Sequence, residues 1–136
     1  MKYLLDTNIL IYHTSGSQVT AGYIEDLIAQ KALNISILTK IEFLGWDKHT
    51  PDGFEKCKAL IEVANIHAID DNVANKAIEL KRKARIKLAD AVIAATAIIH
   101  NLKLATRNVD DFKEIEGLQI FNPFEKPCTP INLTER

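Results

Sequence analysis

The sequence predicts an α/β domain built on a mainly parallel sheet of about five strands, with helices on both faces. Short apolar runs alternate with longer segments of helical periodicity along almost the whole chain. The runs end in polar residues suited to turns or helix caps, as strands entering crossover helices do. One segment, Leu88 to His100, is small and apolar nearly all round, the pattern of a buried helix.

Tyr3-Leu4-Leu5 reads as a buried strand that stops at Asp6, and Asp6-Thr7-Asn8 supplies a polar turn before Ile9–Tyr12 opens a short helix. After the Ser15-Gly16-Ser17 loop, Tyr23, Ile24, Leu27 and Ile28 follow helical spacing, which predicts a helix over 21–31. Leu33 to Leu38 is a second strand, and Thr39 is placed as the N-cap of a helix continuing through Trp46. Pro51 and Gly53 punctuate a loop before a helix over 54–64. Ile66 to Ile69 is a third strand, with Asp70 or Asp71 capping the next helix. After the buried helix, Leu102–Thr106 and Leu118–Phe121 give strands four and five, separated by a loop or single turn over 108–112. Pro123, Pro127 and Pro130 mark an extended tail, so the domain is expected over 1–123 and the tail over 124–136.

A chain of 136 residues, 47% hydrophobic, fits one folded domain. Its net charge of -1 excludes a general polyanion binder, so any nucleic-acid contact rests on a local basic patch. Cys57 and Cys128 lie far apart without metal-ligand or redox spacing and read as plain thiols. The apolar start is too short for a signal peptide and meets Asp6 at once, and no stretch reaches the ~18 apolar residues of a membrane span. The expected compartment is cytoplasmic.

Against this frame four acids stand out: Asp6, Glu42, Asp90 and Asp111, each where a strand ends or a helix begins. In open α/β sheets ligands bind beyond the carboxyl ends of the strands, and the topology can bring all four to that edge. Two carboxylates ~4 Å apart repel by roughly 4 kcal/mol at an effective dielectric of about 20. A proton or a cation relieves the repulsion, and oxygen-only ligands favour Mg²⁺ or Mn²⁺ over softer metals. The expectation is a divalent-metal enzyme acting on phosphates. Each acid also has a plainer role. Asp6 and Asp90 can cap helices, Asp110 and Asp111 can be loop charges, and Thr39-x-x-Glu42 matches a capping box.

The histidines, His13, His49, His67 and His100, have no ligand spacing and read as structural or surface residues. Phosphate-cradling glycine loops and a serine nucleophile elbow are absent from the sequence. Lys81, Arg82, Lys83, Arg85 and Lys87 form a basic run before Asp90, either a solvated helix face or a phosphate-tracking edge. Lys40 and Arg107 neighbour two of the acids and can reach substrate phosphates. Tyr12, Phe43 and Trp46 can stack on bases, with core packing or a protein interface as the rival roles.

Four segments together resemble the PIN-domain ribonucleases, in particular the VapC-type toxins of toxin–antitoxin pairs. They are Leu5-Asp6-Thr7-Asn8, Thr39-Lys40-Ile41-Glu42-Phe43, the run from Leu88 to Ala97 containing Asp90, and the run from Leu104 to Phe112. The resemblance extends from Met1 to about Pro123. It implies a three-layer α/β/α sandwich and a Mg²⁺- or Mn²⁺-dependent endoribonuclease. It carries metal and catalytic roles onto Asp6, Glu42, Asp90 and Asp111, and auxiliary roles onto Thr7, Asn8, Thr39, Thr106, Asn108 and Asp110. Lys40, Lys81, Arg82, Arg85, Lys87 and Arg107 become the candidate RNA contacts. The implied partners are an RNA substrate, a small antitoxin protein and a second copy of the chain. Two rival readings stay open. One is a phosphatase or receiver-type domain using Asp6 as phosphoryl acceptor, although the position two residues on is Asn8. The other is a catalytically silent binding module with the same fold.

Overall fold

The computed structural model describes residues 3–125. In chain order the elements are β1 (Tyr3–Leu5), α1 (Thr7–Thr14), α2 (Gln18–Ala29), β2 (Leu33–Ser36), α3 (Ile37–Leu44), α4 (Pro51–Glu62) and β3 (Asn65–His67). Then come α5 (Asp71–Lys83), α6 (Leu88–Ile99), β4 (Lys103–Ala105), a single 3-10 turn (Val109–Asp111) and β5 (Ile120–Phe121). The strands form one parallel sheet in the order β3-β2-β1-β4-β5. The chain therefore starts at the sheet's centre, steps outward through β2 and β3, and returns to the far side of β1 as β4. That reversal is a topological switch point between β1 and β4, where the connections leave the sheet in opposite directions.

Strand alternation sorts the apolar side chains into two cores. Leu4 and Leu104 pack beneath α5 and α6 with Val92, Ile93, Phe112 and Ile115. Leu5, Ile35 and Ala105 face the opposite layer with Ile9, Leu27, Phe43 and Ile61. The expected α/β/α layering and five-stranded sheet are the observed ones. Asn34 is a buried polar residue within β2: its amide donates to the carbonyls of Tyr3 and Ala32, and its Oδ1 accepts from Asn65. His67 joins that network at 3.1 Å through Nε2, in keeping with a structural histidine.

Several boundaries differ from the sequence expectation. Strand β2 stops at Ser36, whose hydroxyl accepts from the Leu38 N–H at 3.0 Å. Ser36, not Thr39, is thus the N-cap of α3, and Thr39-x-x-Glu42 is not a capping box. The helix claims Ile37 and Leu38 because a capping hydroxyl precedes them, which outweighs their strand propensity. Pro51 and Gly53 lie in the first turn of α4, capped by Thr50, rather than in a loop; proline suits that turn because its N–H has no helical partner. Asp70 caps α5 as expected, accepting from Val73 N–H. The tail expected over 124–136 is described only at Phe124 and Glu125, so Pro127, Cys128 and Pro130 fall outside the described residues.

Helices α2 and α6 end in the same way before turning into β2 and β4. Ala32 N–H returns to Leu27 O, Lys31 N–H to Ile28 O, Leu102 N–H to Ala97 O and Asn101 N–H to Ile98 O. This motif needs a left-handed residue, and Lys31 and Asn101 supply it at φ 55° and 60°. Asparagine tolerates that conformation; lysine does so at a cost. Lys31→Gly is therefore expected to raise stability by about 0.5–1 kcal/mol, net of glycine's greater unfolded-chain entropy, as read in thermal melts. A lower melting midpoint would mean that the entropy dominates.

Candidate metal centre

Asp6 sits at the switch point, between the last residue of β1 and the first of α1, and is 7% exposed. Its N–H continues the ladder to Ala105 O at 3.0 Å, which fixes its backbone against β4. Although it is the N-cap of α1, its side chain makes no capping bond. The carboxylate instead accepts the hydroxyl of Thr106 at 2.8 Å, across the crevice between β1 and β4. Thr106 is itself fully buried and accepts the Asn108 N–H at 3.0 Å. Burial pushes the Asp6 carboxyl above its ordinary 3.8. The Thr106 hydroxyl and Thr7 N–H pull it back, while the charges of Asp90 and Glu42 raise it further.

Glu42 projects from α3, with its backbone one layer away from Asp6, and is tied to the same turn through Thr7. The Thr7 hydroxyl lies 2.7 Å from Glu42 Oε1 and 3.1 Å from the Thr39 hydroxyl. A hydroxyl has one proton, and an ionised carboxylate only accepts. Thr7 therefore donates to Glu42 and receives from buried Thr39. This places Thr39 as a brace for Thr7 rather than a helix cap. Among the described residues the second Glu42 oxygen has no hydrogen-bond partner, and the residue is solvent-exposed.

Asp90 lies in the first turn of α6, whose N-cap Lys87 makes no side-chain capping bond. Its carboxyl is raised by partial burial, then by Asp111; Lys87 partly offsets this, and Glu42 adds to it. Asp6, Glu42 and Asp90 are thus brought within mutual electrostatic reach from three separate segments, with Asp111 joined through Asp90. Of the three rivals in the fourth segment, Asp110 is turned to solvent and pairs with Lys113 at 3.4 Å. Asn108 is held by its backbone to Thr106. Asn8 follows Thr7 in the first turn of α1, half-buried, without a hydrogen bond to the carboxylates.

The basic run divides. Lys83, Arg85 and Lys87 line a cleft of about 510 Å³ with Asp90, Asp110 and Asp111. Lys81 turns away and donates to the Ile86 carbonyl at 2.9 Å, closing the α5–α6 connection. Arg82 lines a separate depression on the outer face of α5, beside Asn75 and Ile78. Lys40 is half-buried on α3, two residues before Glu42. Among the aromatic candidates, Phe43 is wholly buried core and Trp46 packs edge-on against His49. Tyr12 meets Phe124, and the Arg107 guanidinium lies over both rings. Phe124 was hidden from sequence reading by the prolines around it; its aromatic character was the available signal.

The donor set at this edge is all oxygen, with no imidazole or thiolate, and suits a hard dication. Burial first, and the neighbouring acids after it, hold the carboxyls of Asp6 and Asp90 above their ordinary range, and a nearby cation would favour their charged forms. Among the described residues no three acidic, histidine or cysteine side chains converge closely enough to enclose an ion by themselves. Mg²⁺ keeps several waters and needs only one or two direct carboxylates, so this open arrangement fits it.

A model of the PIN domain matches residues 3–118. The chain is 30% identical over 129 residues to Ribonuclease VapC10 of Mycobacterium tuberculosis, spanning 91% of this chain and 94% of that protein. It is 31% identical over 136 residues to Ribonuclease VapC1 of Rickettsia felis, spanning 93% and 99%. Among solved structures it resembles a toxin–antitoxin complex from Klebsiella pneumoniae, with 32% identity, a TM-score of 0.73, and 90% and 98% of the two chains covered. VapBC2 of Rickettsia felis, at 24% identity and a TM-score of 0.77 over 90% and 98% of the chains, shares the fold. With the switch-point acids in place and the match running through nearly all described residues, the chain belongs to the PIN-domain family.

Proposed function

We propose that this chain is an endoribonuclease that hydrolyses RNA phosphodiesters with Mg²⁺ or Mn²⁺, and that it is the toxin of a toxin–antitoxin pair. The observation that carries the reading is the approach of Asp6, Glu42 and Asp90, from three segments, to within electrostatic reach of one another as an oxygen-only set. RNA as substrate is supported by the two relatives named ribonucleases, and an antitoxin partner by the Klebsiella complex. The family resemblance adds a homodimer, and a cytoplasmic location where RNA is available.

Asp6 and Asp90 would hold the ion. Bound there, a dication lowers the pKa of an attached water and neutralises charge developing on the phosphate. Thr7 occupies one oxygen of Glu42 and leaves the other to orient the attacking water or take its proton. Thr106 fixes the rotamer of Asp6. Asp111, rather than Asp110 or Asn108, completes the set, because its charge acts on Asp90. Arg85 and Lys87 flank this edge and hold neighbouring phosphates.

The test is sequencing of cellular RNA ends after expressing the wild type beside Asp6→Asn. New ends confined to the wild type, with at least about 10³-fold slower cleavage by the variant, are expected from the loss of several kcal/mol of transition-state stabilisation. Identical end profiles for the two proteins would refute the nuclease and favour a silent binding module.

A further inference from the structure

The geometry points to a guanine-reading subsite beside the carboxylates, formed by Arg107 on its aromatic seat and the cleft between the ends of β4 and β5. This deepens the nuclease reading and rests on it for the identity of the ligand as RNA. The cleft has a volume of about 300 Å³ and is walled by Arg107, Asn108, Asp110, Asp111, Asn122 and Glu125. It shares Asp110 and Asp111 with the cleft that Lys83, Arg85 and Lys87 line. The two therefore meet at Asp110 and Asp111, and Asp90 lines the basic one. A strand whose phosphates lie along the basic cleft has a neighbouring base within reach of the second one.

Arg107 is held in place by its face. Its guanidinium carbon lies 4.4 Å from the Phe124 ring centroid and 5.2 Å from that of Tyr12, and the two rings meet edge to face at 5.1 Å. Phe124 is pinned in turn, because its N–H donates to Asn122 Oδ1 at 2.9 Å. Aromatic contact restrains the guanidinium plane while leaving the N–H edges to other partners. Among the described residues no carboxylate takes them in an ion pair.

The charge of the cleft decides between a phosphate and a base. Among the described residues that line the cleft, Asp110 (paired with Lys113), Asp111 and Glu125 outnumber the one lining cation, Arg107, so a further anion is disfavoured, whereas a neutral base is not. Guanine satisfies both signs at once. Its O6 and N7 form the adjacent acceptor pair that an arginine fork takes bidentately, and its N1–H and N2–H₂ form an adjacent donor pair for a carboxylate. Adenine presents a donor next to N7, and cytosine and uracil lack the O6/N7 pair.

The test uses fluorescently labelled UUGUU, UUAUU, UUCUU and UUUUU, titrated with the purified protein in EDTA and followed by anisotropy. The guanine-containing pentamer is expected to bind about ten-fold more tightly than the others. Arg107→Lys, which keeps the charge and loses the fork, is expected to bring that ratio to within about two-fold. If Arg107→Lys does not fold, Phe124→Leu takes its place, with the same collapse expected from a loosened guanidinium. Equal affinity for the four pentamers overturns the subsite, as does a guanine preference that survives the variant. Cleavage of the same pentamers in Mn²⁺ is scored separately. Guanine preference without cleavage refutes the nuclease and leaves the subsite standing; cleavage without preference does the reverse.

Discussion

In metal-free buffer at neutral pH, Asp6→Asn is expected to melt about 3–6 °C higher than the wild type, the shift that roughly 1 kcal/mol produces in a domain of this size. The carboxylate is buried beside two other acids, and its folded-state pKa is raised, by desolvation first. Such a group binds its proton more tightly folded than unfolded, so its contribution to stability falls as pH climbs from the ordinary 3.8 through the raised value. At neutral pH the whole penalty is present; at pH values below the ordinary one it vanishes. The difference between variant and wild type should therefore shrink to nothing on acidification. Asparagine is the informative replacement, because its amide oxygen still receives the Thr106 hydroxyl. Alanine would strand that buried donor and mask the gain. Asp90 is raised in the same direction, but its partial exposure screens the effect. Adding Mn²⁺ should raise the wild-type midpoint and leave Asp6→Asn nearly unmoved, since only a ligand of the folded state stabilises it. A variant melting below the wild type at neutral pH would make Asp6 a structural residue and remove the ion from its surroundings.

Particular residues explain what the sequence made legible. Asp6 and Asp90 stood out because each interrupts an apolar context at a junction, where parallel-sheet topology sends side chains to one edge. Glu42 was singled out in spite of a misplaced cap. The segment 33–39 carries strand propensity through Leu38, while the capping hydroxyl of Ser36, three residues before Thr39, starts the helix at Ile37. The bond that orients Glu42 was not legible, since it joins residues 35 apart in sequence and depends on how α1 meets α3. The basic run divides for a geometric reason. Successive residues on a helix point about 100° apart, so Lys81, Arg82 and Lys83 cannot share one face. Only Lys83, and the loop residues Arg85 and Lys87, reach the acidic cleft. The order of the strands also lay beyond local patterning: apolar runs of three or four residues carry no record of their neighbours.

Thr106→Val is expected to weaken Mn²⁺ binding by about 10–100-fold and to slow cleavage by a comparable factor, although Thr106 needs no contact with the ion. Valine matches the threonine in shape and removes two bonds. Asp6 loses the hydroxyl that holds its carboxylate and favours its charged form, so its pKa rises further and the ligand competes less well against protons. Asn108 loses the acceptor for its N–H, at the start of the segment that carries Asp111. Leaving a buried group unpaired costs about 1–3 kcal/mol, so stability should fall as well, in contrast to the gain expected from Asp6→Asn. Stability alone would not separate a positioning residue from a packing one; the acid limb of the cleavage profile does. That limb should move to higher pH in Thr106→Val, because a less favoured carboxylate needs a higher pH to ionise. Thr106→Ser, which restores both the donor and the acceptor while giving up a methyl group, should recover the wild-type limb and most of the Mn²⁺ affinity. A Thr106→Ser variant no better than valine, or a valine variant with unchanged Mn²⁺ affinity by calorimetry, would reduce the bond across the switch point to ordinary core packing.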